Sequence, residues 1–121
     1  MIQIKNHNGI IAVSETVFAT IAGTVVNNCF GVVGMAATGA KDGIVSLLKK
    51  ENYNRGVKVT ADGESLQLEL HIIVNYGVNL PAISHSIISE VKYAVEKKTG
   101  FHISRVNVCI DAMTVDGERK K

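Results

Sequence analysis

The sequence predicts an α+β fold, a mixed sheet with helices packed mainly on one face, in the order ββααββαβ. Three observations carry this reading. Short runs such as Leu66 to Val74 alternate apolar and polar residues, the signature of a half-buried strand. Longer runs such as Phe18 to Cys29 repeat their apolar residues at helical spacing. A long strand, a helix and a final strand then follow one another, a βαβ unit whose strands normally lie parallel.

The start reads as a hairpin. Ile2 and Ile4 alternate with polar neighbours, Asn8-Gly9 marks a turn, and Ile10 to Val13 forms the return strand. Ser14 can cap a first helix, with Glu15 at the positive end of its dipole. Phe18, Ile21, Ala22, Val25, Val26 and Cys29 give that helix one apolar stripe, from about Glu15 to Cys29. Val17 to Ala37 is apolar over a length that could span a bilayer. Thr20, Thr24, Asn27, Asn28 and three glycines divide it into a helix and a turn, so direct membrane insertion is not expected.

A connector with Gly31, Gly34, Gly39 and Gly43 follows, where the chain is expected to bend sharply or approach another backbone. Asp42 can cap a short second helix, with Ile44, Leu47 and Leu48 facing inward and Lys49 and Lys50 near its negative end. Val57 and Val59 open a strand that turns at Asp62-Gly63 into the long strand. Leu66, Leu68, Leu70, Ile72 and Val74 line one face of it. Gln67, Glu69, His71 and Asn75 line the other, where Ile73 alone breaks the alternation. Asn79 and Pro81 start a third helix, buried through Ile83, Ile87, Val91, Ala94 and Val95 and stopped at Gly100. The last strand turns Val106, Val108 and Ile110 inward and Arg105, Asn107 and Asp111 outward. Residues 1–115 are read as a single domain, and 116–121 as a charged tail expected to fray.

Length and composition fit one ordinary domain. A chain of 121 residues, 46% apolar and 20% charged, can bury a core without staples. Aromatics are only 5%, so Val, Ile, Leu and Ala must fill that core. The net charge of +2 is too small to imply an electrostatic partner. Lys49, Lys50, Arg55 and Lys58 are interrupted by Glu51 and read as a solvated face rather than a nucleic-acid patch. Cys29 and Cys109 form no C-x-x-C pair and read as small hydrophobes. The N-terminus lacks the charged-then-apolar order of a signal peptide, so reduced cysteines in the cytoplasm are expected.

No chemistry emerges from the motifs. Gly34 and Gly39 have the spacing of a phosphate loop, but Ala40 stands where the lysine belongs, and Asp42 follows Lys41. Gly31-Val32-Val33-Gly34 is similar to the GXXG loop of KH domains, and strand, helix, loop, helix, strand, strand from Ile10 to Val74 is close to a KH order. RNA binding through that loop is the alternative reading, although two valines stand where a basic side chain would meet phosphate. His7, His71, His85 and His102 are scattered without metal-ligand spacing. His71, two residues from Glu69, reads as half of an exposed ion pair. There is no G-x-S-x-G elbow and no acid pair for general acid–base work. Catalytic, cofactor-binding and metal sites are therefore none. The remaining candidates are contact surfaces: the connector with Gly31, Gly34, Gly39 and Gly43, and the sheet face with Gln67, Glu69, His71 and Ile73.

Three segments resemble one family. They are GIIAVSETVFATIAGTVVNNCFGVVGMA, NYNRGVKV and VNYGVNLPAISHSIISEVKYAVEKKTGFHISRVNVCIDAM. Gly31-Val32 with Gly34-Met35, Tyr76-Gly77, Thr99-Gly100 and Val106-Asn107-Val108 together resemble the alkaline-shock-protein family from about Gly9 to Met113. Ile88 stands where that family often has Gln, and Ala112 where a Gly commonly follows the last strand. The resemblance implies an abundant cytosolic protein of Gram-positive-type bacteria, linked to envelope or alkaline stress and without catalytic residues. It further implies self-association into a homo-oligomer and, for some members, a membrane-anchored partner protein that holds them near the membrane.

Overall fold

The computed structural model describes residues 2–38, 45–48, 53 and 55–115. Among them are two helices and seven strands. The chain opens with an antiparallel hairpin, β1 (Ile2–Asn6) and β2 (Gly9–Val13). The Asn6 side chain tightens the turn by accepting from the backbone N–H groups of Asn8 and Gly9, at 2.8 and 3.1 Å. Ser14 caps helix α1 (Glu15–Asn27) by accepting from the Thr16 N–H. Phe18, Ala19, Ala22, Gly23 and Val26 form its buried face. Ile21, Val25 and Cys29 flank that face half-buried.

The main sheet is built around β6 (Ser65–Asn75). β5 (Val57–Asp62) pairs antiparallel with its first half, from Leu70 back to Ser65, through a tight turn at Gly63. β3 (Val32–Thr38) takes over along the same edge, pairing with Ile72, Ile73 and Val74. A short β4 (Val45–Leu47) extends the sheet beyond β3. The opposite edge of β6 is covered over its full length by β7 (His102–Thr114), the parallel partner expected from a βαβ unit. Helix α2 (Leu80–Thr99) makes the crossover. Asn79 accepts from the Ala82 N–H at its start, Pro81 occupies the first turn, and Gly100 closes it in the left-handed conformation at φ 78°.

Both helices cover one face of this sheet. Leu66, Leu68, Leu70, Ile72 and Val74 project from β6 into the same core as Phe18, Val26, Ile83, Ile87, Val91 and Val95. Phe18 meets Phe101 edge to face, with ring centres 5.3 Å apart, joining α1 to the start of β7. The α+β class, the mixed sheet and the one-sided helices are as the sequence implied.

Two elements differ from expectation. The connector after α1 is mainly strand, because Met35 pairs with Ile72 and Val32 with Val74 while Met35, Ala36 and Ala37 are buried. The expected second helix is strand where it is described. Val45–Leu47 pairs with Ala36–Thr38, and the Leu48 N–H donates to the Met35 carbonyl. A free edge on β3 offers those bonds, which a lone short helix would leave unmade. Gly39, Gly43, Asp42 and the tail 116–121 lie outside the described residues.

Candidate functional site

The sheet face turned away from the helices carries a cluster of titratable groups. Side chains two apart on a strand share a face, so Glu69 and His71 stand side by side on β6. The parallel register sets Cys109 of β7 opposite His71. A register shift follows, with Ile72 opposite Ile110 but Ile73 opposite Ala112, so Asp111 is the extra residue of a bulge. Bulges re-aim side chains, and here the Asp111 carboxylate reaches His71 Nδ1 at 3.1 and 3.2 Å. His71 Nε2 lies 2.8 Å from Glu69 Oε2. The imidazole is thus held between two carboxylates and is about one-third exposed.

Partial burial by itself would lower the His71 pKa. The hydrogen bonds and charges of Asp111 and Glu69 outweigh it, so the pKa is raised above the ordinary value. Cys109 feels the opposite: burial first, then the negative charges of Glu69 and Asp111, push its thiol up. A nucleophilic thiol needs its pKa lowered and a free imidazole nitrogen as base. Here the thiolate is disfavoured and Nε2 is occupied by Glu69, so Cys109, His71 and Asp111 do not make an activated nucleophile.

A second surface lies at the end of the sheet where β6 gives way to α2. Phe30 is 91% exposed and Tyr76 74% exposed. With Val78, Ala82 and Ile83 they border a groove of about 530 Å³. Gly31 makes this end possible. Its φ of +84° is left-handed, and a β-carbon there would fall 2.6 Å from Ile83 Cδ1 and 3.0 Å from Val78 Cγ1.

The sequence candidates therefore separate. Glu69 and His71 come together, joined by Cys109 and Asp111, which were not singled out as site residues. Gln67 lies farther along the same face, near Lys58, Thr60 and Asn107. Ile73 is only 5% exposed and belongs to the packed structure. Gly31 backs the end groove by its close approach to Ile83 and Val78, whereas Gly34 pairs with Ile73 inside β3. The Gly31-to-Gly34 tetrapeptide is consequently no loop between two helices. The Val32 N–H donates to Cys29, and the Gly31 carbonyl accepts from Asn75, so this backbone is committed to the fold rather than offered to phosphate. Phe30 and Tyr76 escaped the sequence reading because nothing in their spacing distinguishes a core aromatic from an exposed one.

The fold and its surfaces define a class: an α+β protein with a helix-covered sheet, one open polar face and an aromatic-edged groove at one end. Among the described residues no helix is long and apolar enough to cross a membrane. The chain belongs to the alkaline-shock-protein family, whose model is described by a cell envelope-related function and matches residues 3–115. It is 36% identical to the uncharacterized protein YloU of Bacillus subtilis over 115 residues, covering 94% of this chain and 96% of that one. It is also 36% identical to the uncharacterized protein Spy1614 of Streptococcus pyogenes over 118 residues, covering 97% and 98%. Among solved structures, the copper form of the MamM CTD is similar at a TM-score of 0.48 and 16% identity, covering 87% of this chain and 91% of that one. At that level the likeness is one of fold alone.

Proposed function

We propose that this chain is a non-enzymatic, cytoplasmic scaffold or adaptor of the envelope and alkaline stress response, a single domain that self-associates. The single observation that carries this is Phe30, a 91% exposed aromatic beside the apolar groove of Tyr76, Val78, Ala82 and Ile83. Isolated exposed apolar residues are ordinary, but an aromatic joined to a mainly apolar groove, with Asn79 and Ser86 as polar lining beside the Tyr76 hydroxyl, is the kind of surface that protein contacts cover. Among the described residues no Asp, Glu, Lys or Arg borders the groove, which suits another apolar surface better than a charged peptide. Because the projecting ring and the groove adjoin, two copies related by a twofold axis can each place Phe30 in the other's groove, a self-complementary contact that closes. A membrane-anchored partner protein would then hold the assembly near the membrane without direct insertion, as family resemblance suggests. Nucleic acid has no place in this reading.

Light scattering on the full chain tests it. The wild-type protein is expected to run as a dimer or larger, and Phe30→Asp as a monomer. Because Phe30 is almost wholly exposed, the variant should keep the wild-type circular dichroism spectrum, and its melting temperature should lose the dependence on protein concentration that an associating wild type shows. A wild-type chain that stays monomeric at high concentration would sink the proposal.

A further inference from the structure

On the open sheet face, Glu69, His71 and Cys109 each offer a ligand atom, and these atoms all lie within 4.8 Å of one another. We propose that this cluster binds a divalent cation of the zinc class, through Glu69 carboxylate oxygen, His71 Nε2 and Cys109 Sγ, with Asp111 holding Nδ1 from behind. The site is independent of the self-association reading.

The donor set selects the cation. One thiolate, one imidazole and one carboxylate suit zinc and its borderline neighbours, whereas calcium and magnesium take oxygen ligands. The strand register supplies the geometry. Glu69 and His71 are two apart on β6, and Cys109 faces His71 across the parallel pair. At bond lengths of about 2.0–2.1 Å and tetrahedral angles, nitrogen and oxygen ligands stand roughly 3.3 Å apart. His71 Nε2 and Glu69 Oε2 are already 2.8 Å apart, so opening this pair by about half an ångström admits the ion.

Asp111 is the second, separate observation. Ligating histidines usually give their other N–H to a carboxylate, which fixes the ring and its tautomer. The bulge places Asp111 on Nδ1, and its side chain is only 17% exposed. On loading, Cys109 Sγ and, where it is protonated, His71 Nε2 release their protons to water, while Nδ1 keeps its proton on Asp111. The carboxylates of Glu69 and Asp111, both on His71, put negative charge where a cation would sit. Glu69 and His71 are 40% and 32% exposed, so a fourth position remains open to water.

The full chain, freed of metal by chelation, is titrated with Co²⁺ as an optical probe and then with Zn²⁺. One cobalt per chain is expected, with a thiolate-to-cobalt charge-transfer band that zinc abolishes. Cys109→Ser should remove the band, and Cys29→Ser should leave it unchanged. Asp111→Asn should weaken binding roughly 10–100-fold, and Glu69→Gln, which removes a ligand, should weaken it further. Cys109→Ser is a conservative change, and its circular dichroism melt shows whether the fold is kept; Glu69→Gln alters a half-buried side chain without changing its size and gives a second reading. The proposal is overturned by the absence of a charge-transfer band in the wild type, by a band that follows Cys29 instead, or by an affinity indifferent to both Glu69 and Asp111.

Discussion

His71 shows how much one side chain's surroundings decide. Its neighbours are Glu69 on its own strand and Cys109 and Asp111 on β7. The carboxylates favour the imidazolium, so its pKa is higher in the folded chain than in the unfolded one. A group shifted in that direction contributes stability that is fully present below its unfolded pKa, about 6.5. That contribution is lost as pH rises through the higher folded value. The metal-free protein should therefore lose melting temperature as pH climbs from about 6.5, and His71→Gln should flatten that part of the profile. Parallel thermal melts of both proteins in chelator measure it; identical slopes would show that the two carboxylates do not act on His71 as described.

At the scale of elements, the decisive place is the junction where β5 hands the edge of β6 to β3. Gly56 sits there, accepting from the His71 N–H and donating to Tyr53. A β-carbon on Gly56 would lie 2.7 Å from the Ala36 carbonyl oxygen, a backbone atom that cannot swing aside. Gly56→Ala should cost about 1–3 kcal/mol in denaturant unfolding, as overpacking does; a neutral result would mean that β3 and β5 are less tightly apposed. This junction also explains which elements were legible. Both hairpins, α1 and α2 carried their own punctuation in Asn8-Gly9, Ser14, Asp62-Gly63, Asn79 and Gly100. β3 did not, since Gly34, Ala36 and Ala37 have weak strand preferences and its pairing to Ile72, Ile73 and Val74 is a tertiary fact. The short apolar run at Val45 to Leu48 suits a helix or a strand equally by pattern, and only the free edge of β3 decides it.

Across the whole molecule, half of the candidate site was visible and half was not. Glu69 and His71 could be paired from strand alternation alone. Cys109 and Asp111 could not be added to them, because a parallel register and a bulge arise only once α2 has crossed over the sheet. The same architecture keeps the two surfaces apart. His71 lies in mid-strand, while Tyr76 lies just past the end of β6, roughly 16 Å farther along extended chain. Sites at that distance with no shared partner usually act additively. Phe30→Asp should therefore abolish association yet leave cobalt affinity within about twofold, since additivity normally holds to roughly 0.5 kcal/mol. Cys109→Ser should do the converse, losing the cobalt band while the assembly keeps its mass by light scattering. If copies instead meet through the face bearing Gln67, Glu69 and His71, the two effects will not separate. Cobalt will then change the oligomer in the wild type, and Phe30→Asp will leave it intact.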